Sequence, residues 1–243
     1  MNNASLARYA RQILLREVGV AGQNVLRDSS VLVVGLGGLG SPAAQYLASA
    51  GIGTLVIADR DRVELSNLQR QILYAQGDVG RAKPVAASER LRALNPQTQI
   101  EALEGEAWRD AIAHVDVVLD CTDNFPTRFA INGLCVRARK PLVSGAAIRF
   151  EGQLAVFDAR RADSPCYACL YPQNGDAAET CEEAGVLGPT VGVIGGMQAL
   201  AALKLLLGIG DDVGKLHLWN AIDMNWKTTK IPRDPRCAAC GHG

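Results

Sequence analysis

Residues 31–42 read Val31-Leu32-Val33-Val34-Gly35-Leu36-Gly37-Gly38-Leu39-Gly40-Ser41-Pro42, and this stretch decides the fold. Four consecutive apolar residues fit a strand buried on both faces. Gly35, Gly37 and Gly40 follow it in G-x-G-x-x-G spacing, which permits a tight turn and lets a ligand approach the backbone closely. Ser41-Pro42 then leads into a helical pattern over Ala43 to Ala50. Strand, glycine loop and helix together form a nucleotide-binding unit, because the helix N-terminus favours an anion.

The alternation continues on the C-terminal side. Thr54 to Ala58 reads as a second strand ending in Asp59, the region from about Pro84 to Leu94 as a helix, and Thr98 to Leu103 as a weak strand. Val115 to Asp120 is a further buried strand, Phe125 to Arg139 a helix, and Pro141 to Ser144 a strand before Gly145. This pattern predicts a Rossmann-like, doubly wound α/β sheet with its ligand at the strand C-terminal edge. On the N-terminal side, Ser5 to Glu17 reads as an amphipathic helix punctuated by Gly19 and Gly22. Beyond Ala146 we expect a strand over Gln153 to Phe157, a long polar loop over Asp158 to Gly188, and an apolar helix over Thr190 to Leu207. Two short strands near Lys215 to Trp219 and Trp226 to Ile231 follow. No repeat or linker divides the chain, so one domain with an inserted loop and a small C-terminal elaboration is expected.

Composition narrows the function. The 243 residues balance 25 Lys and Arg against 25 Asp and Glu, with 48% hydrophobic residues. Disorder is excluded, and zero net charge removes the broad attraction that drives binding to nucleic acid or anionic membranes. Val191 to Gly208 has the length of a membrane span, but Gln198, Lys204 and four glycines favour a buried helix. Arg8, Arg11 and Arg16 interrupt the N-terminal apolar residues, so no secretory signal is expected and the location is cytoplasmic.

A carboxylate at Asp59, ending the second strand, can accept hydrogen bonds from ribose hydroxyls. Alone, this would serve a nicotinamide cofactor as well as ATP. Ser66-Asn67-Leu68-Gln69-Arg70-Gln71 and Lys83 add amide donors and cations that hydride transfer does not require, whereas a triphosphate does. Val117 to Leu119 then release Asp120-Cys121-Thr122-Asp123-Asn124 at a strand end, where Asp123 suits a magnesium ion shared with phosphates. Asp120, still inside the strand, is read as a packing or capping residue.

Seven cysteines are present, four of them in the pairs Cys166/Cys169 and Cys237/Cys240. Two such knuckles supply the ligands of a closed, structural tetrahedral zinc site; two redox pairs are the alternative. Cys121 and Cys135 are expected to be packed, inert thiols.

These residues carry a resemblance. The glycine loop, Ala58-Asp59, Ser66 to Gln71, Lys83, Asp120 to Asn124, Ser144-Gly145-Ala146-Ala147, both cysteine pairs and Thr180-Cys181-Glu182-Glu183-Ala184-Gly185 resemble the MoeB/ThiF/HesA family, bacterial relatives of ubiquitin-activating enzymes. The likeness runs from about Arg8 to Gly241. It implies adenylation of the C-terminal glycine of a ubiquitin-fold sulfur carrier ending in Gly-Gly, with MgATP consumed and pyrophosphate released. It assigns Gly38 to the nucleotide loop, Asp59 to ribose, Asn67, Arg70 and Lys83 to phosphates, and Asp123 to magnesium. Arg11 becomes the residue that reaches a neighbouring subunit's ATP, which implies a homodimer. Cys181 is a possible thiol for covalent linkage to the carrier, although Glu182 and Glu183, if close, would raise its pKa. The expected site thus comprises Arg11, Gly35, Gly37, Gly38, Gly40, Asp59, Ser66, Asn67, Leu68, Gln69, Arg70, Lys83, Asp123 and Asn124, with zinc on Cys166, Cys169, Cys237 and Cys240.

On this basis residues 1–30 are N-terminal helices, 31–150 the nucleotide core, and 151–243 the carrier-binding and zinc-containing part. An already ionised carboxylate needs no strong general base to attack the α-phosphate, so His114, His217 and His242 receive no role. The favoured pathway is molybdopterin synthesis, with thiamine-thiazole synthesis as the alternative, and a separate cysteine desulfurase or rhodanese supplies sulfur. The competing classes are a nicotinamide-dependent oxidoreductase and a catalytically silent scaffold that binds a carrier.

Overall fold

The computed structural model describes residues 3–171 and 184–241. In chain order its elements are α1 (Asn3–Ile13), α2 (Gly19–Asp28), β1 (Ser30–Val34), α3 (Gly40–Ala50), β2 (Thr54–Asp59), α4 (Lys83–Leu94), β3 (Gln99–Glu104) and α5 (Trp108–Ala111). There follow β4 (Val117–Asp120), α6 (Phe125–Ala138), β5 (Pro141–Ile148), β6 (Glu151–Asp158), α7 (Tyr167–Leu170), α8 (Gly188–Leu207), β7 (Lys215–Asn220) and β8 (Asn225–Lys230).

The described strands form a single sheet in the order β3-β2-β1-β4-β5-β6-β7-β8. Pairing is parallel from β3 to β5, with Val31 opposite both Leu55 and Val117, and antiparallel from β5 to β8. The strand order reverses between β1 and β4, which is where open α/β sheets bind ligands. Alternation along β1 divides its side chains between two cores. Val31 and Val33 join α3, α4 and α8 on one face, while Leu32 and Val34 join Trp108, Ile131 and Tyr167 on the other.

The expected doubly wound sheet is present, with three local differences. The first helix stops at Ile13, and a separate helix α2 follows. Gly22 lies inside α2 because that helix crosses α8 closely: a Cβ there would stand 2.9 Å from Leu207 Cδ2. β5 runs through Gly145 to Ile148, because Gln198 from α8 fills the space a side chain would occupy, 2.4 Å from the Cβ position. The segment expected as a long loop contains α7, and α8 begins at Gly188 with Pro189 in its first turn. Residues 172–183, including Cys181, lie outside the described residues.

α8 is the apolar helix read from the sequence, with a mean hydropathy of 1.7 over its 18-residue window. Val191, Ile194, Gln198 and Ala202 are buried in the fold, while Val193 and Leu200 are partly exposed. Its Gly195 sits against α3, with a Cβ position 2.2 Å from the Leu39 carbonyl oxygen.

Candidate nucleotide site and cysteine centre

The glycine loop is held from several sides. Leu36 N–H donates to Asp59 Oδ2 at 2.7 Å, and its carbonyl accepts from Tyr74 Oη at 3.0 Å and Ser41 Oγ at 3.2 Å. The glycines have distinct tasks. Gly35 adopts φ +90°, and a Cβ on it would lie 2.7 Å from the Cys121 carbonyl oxygen. A Cβ on Gly40 would meet the Gly35 carbonyl oxygen at 1.9 Å, so both residues are required for the turn itself. Gly38 is required by α8, with Val191 Cγ2 2.8 Å from its Cβ position. Gly37 faces more open space, its nearest neighbour being Gln71 Nε2 at 3.6 Å. The N–H groups of Gly37 and Gly38 have no acceptor among the described residues, which leaves them available to an anion.

Asp59 and Lys83 meet at the edge of this loop. Asp59 accepts from Leu36 N–H and, at 2.8 Å, from Asp61 N–H, so two backbone donors fix its direction. Lys83 Nζ lies 3.1 Å from Asp61 Oδ2 and 4.0 Å from Asp59 Oδ2. Burial pushes the Asp59 carboxyl above its ordinary range, against the Lys83 charge and the two N–H donors. Lys83 is buried at the start of α4.

The Ser66 to Gln71 segment lies against the start of α8. A Cβ on Gly188 would stand 2.5 Å from the Gln69 carbonyl oxygen. Asn67 is buried and caps its own turn, its Oδ1 accepting from Glu64 N–H at 3.3 Å and its Nδ2 donating to Ser66 Oγ at 3.4 Å. Arg70 Nη1 donates to the Ser66 carbonyl at 3.1 Å. Sequence reasoning missed Gln71 although it belongs to the same motif. Gln71 is 4% exposed, and its Oε1 has no hydrogen-bond partner among the described residues. An orphaned buried acceptor beside the open Gly37 fits a donor group on a bound ligand.

Asp123 projects at the end of β4, exposed, with Oδ1 accepting from Asn124 Nδ2 at 3.2 Å. Asn124 also caps α6, accepting from Thr127 N–H at 3.0 Å. Asp120 is fully buried, as its strand position suggested. Arg11 is not brought to this site within its own chain. It is exposed on α1, whose Tyr9 packs on Gly51 and accepts from Asn95 Nδ2 at 2.9 Å. Gly51 follows α3, whose 11 residues separate it from the glycine loop by roughly 16 Å.

The four paired cysteines do converge. All four Sγ atoms lie within 4.8 Å of one another. Cys166 is 3.9 Å from Cys169 and 3.7 Å from Cys237, and Cys169 is 3.5 Å from Cys240. Thiolates held at about 2.3 Å from a tetrahedral zinc stand about 3.8 Å apart, so this cluster could hold that ion. Asn132 of α6 supports it, with Nδ2 3.6 Å from Cys166 Sγ and Oδ1 accepting from Tyr167 N–H at 2.9 Å. Cys121 and Cys135 are buried away from solvent, and burial raises both thiols far above their ordinary range.

Comparison with known proteins agrees with this fold. The chain is 49% identical over 245 residues to the sulfur carrier protein ThiS adenylyltransferase of Escherichia coli K12, covering 99% of this chain and 97% of that protein. It is 47% identical over 246 residues to the molybdopterin-synthase adenylyltransferase of the same organism, covering 99% and 98%. The E. coli MccB structure with MccA-N7isoASN has the same fold, with a TM-score of 0.83 at 22% identity over 99% of this chain and 76% of that one. The ThiF family pattern matches residues 9–239, and the chain therefore belongs to the ThiF family.

Proposed function

We propose that this chain is an ATP-dependent adenylyltransferase acting on a ubiquitin-fold sulfur carrier. The observation that carries the reading is the glycine loop joined to Asp59 and Lys83, on a chain 49% identical over nearly its whole length to a ThiS adenylyltransferase. In this reading the carrier's terminal glycine carboxylate attacks the α-phosphate, an acyl-AMP forms, and pyrophosphate leaves. The carboxylate is already ionised, so the protein contributes position and charge rather than a base. Gly37 and Gly38 present their N–H groups to phosphate, Asp59 takes the ribose, and Asn67, Arg70 and Lys83 meet the phosphates. Ser66, Leu68 and Gln69 complete the segment that carries Asn67 and Arg70.

Asp123 suits magnesium because it is exposed, with a second carboxylate oxygen that has no partner among the described residues. When bound, the ion neutralises charge on the phosphates. Arg11 serves the site of a second copy, since its own site lies at the other end of α3. The exposed Leu14, Tyr46 and Leu200 give that copy an apolar surface to cover. Zinc fills the cysteine centre as a structural ion, and Cys181 is the candidate thiol for linkage to the carrier. A separate cysteine desulfurase or rhodanese supplies sulfur, and the reaction runs in the cytoplasm. Molybdopterin synthesis remains the assigned pathway. The 49% and 47% identities fit the thiamine carrier equally well.

The test is ATP–pyrophosphate exchange with each candidate carrier ending in Gly-Gly, alongside a carrier lacking its terminal glycine. Exchange that requires the terminal glycine supports the proposal, and the carrier effective at lower concentration selects the pathway. Tight ATP binding without exchange would favour a non-catalytic scaffold.

A further inference from the structure

The peptide that leads into Asp123 is gripped by two buried charged side chains that take no part in the site described above. Asp120 Oδ1 accepts from both Thr122 N–H at 3.0 Å and Thr122 Oγ1 at 2.7 Å, and its Oδ2 accepts from Ser144 Oγ at 3.0 Å. Arg128, nine-tenths buried on α6, donates from Nη2 to the Thr122 carbonyl. Thr122 is therefore held at its N–H, its hydroxyl and its carbonyl at once. Gln198, fully buried on α8, reinforces the strand end by donating from Nε2 to the Asp120 carbonyl at 2.7 Å.

Burying a charge is costly unless it is paired and hydrogen-bonded. Here burial works against the Arg128 charge, and Asp120 together with the Tyr167 and Tyr171 hydroxyls outweighs it, leaving the guanidinium firmly protonated. Helix packing alone would have been served by an apolar residue at 128. What a charged pair adds is direction: an acceptor below Thr122 and a donor beside it define where the next residue begins.

We propose that Asp120, Arg128 and the Thr122 hydroxyl are positioning residues that aim the Asp123 carboxylate at the metal accompanying ATP. The inference rests on the reading of Asp123 as a magnesium ligand. It assigns the buried Asp120 and Arg128, with the half-buried Thr122, a role in metal affinity that is distinct from contact with ATP.

The experiment measures binding of the non-hydrolysable analogue α,β-methylene-ATP to the full chain by calorimetry, with and without a series of Mg²⁺ concentrations. Thr122→Val removes the hydroxyl donor at nearly constant volume, and Thr122→Ser restores it. Thr122→Val is expected to raise the half-saturating Mg²⁺ concentration by about tenfold, the effect typical of residues that orient metal ligands. Binding without Mg²⁺ should be unchanged, and Thr122→Ser should behave as the native chain. A role in stability alone would not shift Mg²⁺ dependence at constant metal-free affinity. If Thr122→Val does not fold, Ser144→Ala removes the donor to the other Asp120 oxygen and carries the same expectation.

Asp123→Ala separates the two possible failures. If it abolishes the Mg²⁺ dependence while Thr122→Val leaves it native, the positioning inference alone is overturned. If Asp123→Ala itself leaves the dependence intact, the magnesium reading fails and the positioning inference falls with it.

Discussion

Removing metal from the cysteine centre should lower the melting temperature by several degrees without dismantling the sheet. Cys166 and Cys237 have Sγ atoms 3.7 Å apart, yet they are 71 residues apart in the chain. Treating a bound zinc as a cross-link, closure of a loop this long removes about 15 cal/mol/K from the unfolded ensemble, or about 4.4 kcal/mol at 25 °C. A chain of 243 residues melts with an entropy of roughly 510 cal/mol/K at the typical value per residue. The quotient is a shift of about 9 °C. Zinc retained by either knuckle in the unfolded chain reduces the shift, so this is an upper value. The assay compares scanning calorimetry of protein stripped by a strong chelator with the same protein after zinc is restored, with metal content counted in both. One zinc per chain and a shift of roughly 5–9 °C are expected. A chain verified to be metal-free that melts within about 2 °C of the zinc-loaded form would refute the cross-link argument.

The glycine loop offers two opposed outcomes. Gly40→Ala places a Cβ 1.9 Å from the Gly35 carbonyl oxygen and should yield little folded protein, as judged by expression and circular dichroism. Gly37→Ala meets only Gln71 Nε2 at 3.6 Å, so it should keep its stability within about 0.5 kcal/mol; a calorimetric titration should nonetheless show weaker ATP binding. A mixed dimer of Arg11→Ala and Lys83→Ala subunits should recover exchange activity above either parent, and no recovery would remove the role in trans. Asp78 gives a pH signature. Its carboxyl accepts from Ala75 N–H at 2.9 Å, Arg81 at 3.0 Å and Arg90 at 3.1 Å, and these donors hold it below the ordinary carboxylate range. Asp78→Asn should therefore cost on the order of 1–2 kcal/mol at neutral pH. The sign follows from the depressed folded pKa: the native advantage is complete above the unfolded value of about 3.9 and is lost as pH falls through the lower folded value. Urea unfolding at pH 7 and pH 3 tests it, and an equal difference at both would sink the assignment.

Much of the candidate site's local geometry is legible in the sequence because its parts are contiguous in the chain. The strand, glycine loop and helix of residues 31–50 fold on one another, and Asp59 ends the neighbouring strand. The cysteine centre was legible for another reason, since two C-x-x-C pairs constrain one another by ligand chemistry across any distance. What escaped were features created by packing between remote elements. Gly22 looked like a helix breaker because nothing nearby in the sequence signals that Leu207 would press against it. Gly145 looked like a strand end because the side chain filling its vacant volume, Gln198, comes from a helix 53 residues later. Arg128 carries no signal of its own within the Phe125 to Arg139 helical pattern, and only its burial and its bond to the Thr122 carbonyl reveal the grip. Gln71 is distinguished from Gln69 only by the structure, where its side-chain carbonyl is enclosed and without a partner among the described residues.

The separation of the cysteine knuckles also sets a timetable for synthesis. Cys166 and Cys169 are translated 71 residues before Cys237 and Cys240. At bacterial to eukaryotic elongation rates this interval lasts about 4–14 s. Throughout it, the first pair of thiols has no second pair with which to close a tetrahedral site. The strands β7 and β8 are made during the same seconds, so the whole sheet precedes the complete ligand set. A tetrahedral ion held by all four thiols can therefore close the centre only after the sheet has been synthesised, and an oxidant that reaches Cys166 and Cys169 in that window meets thiols without their partners.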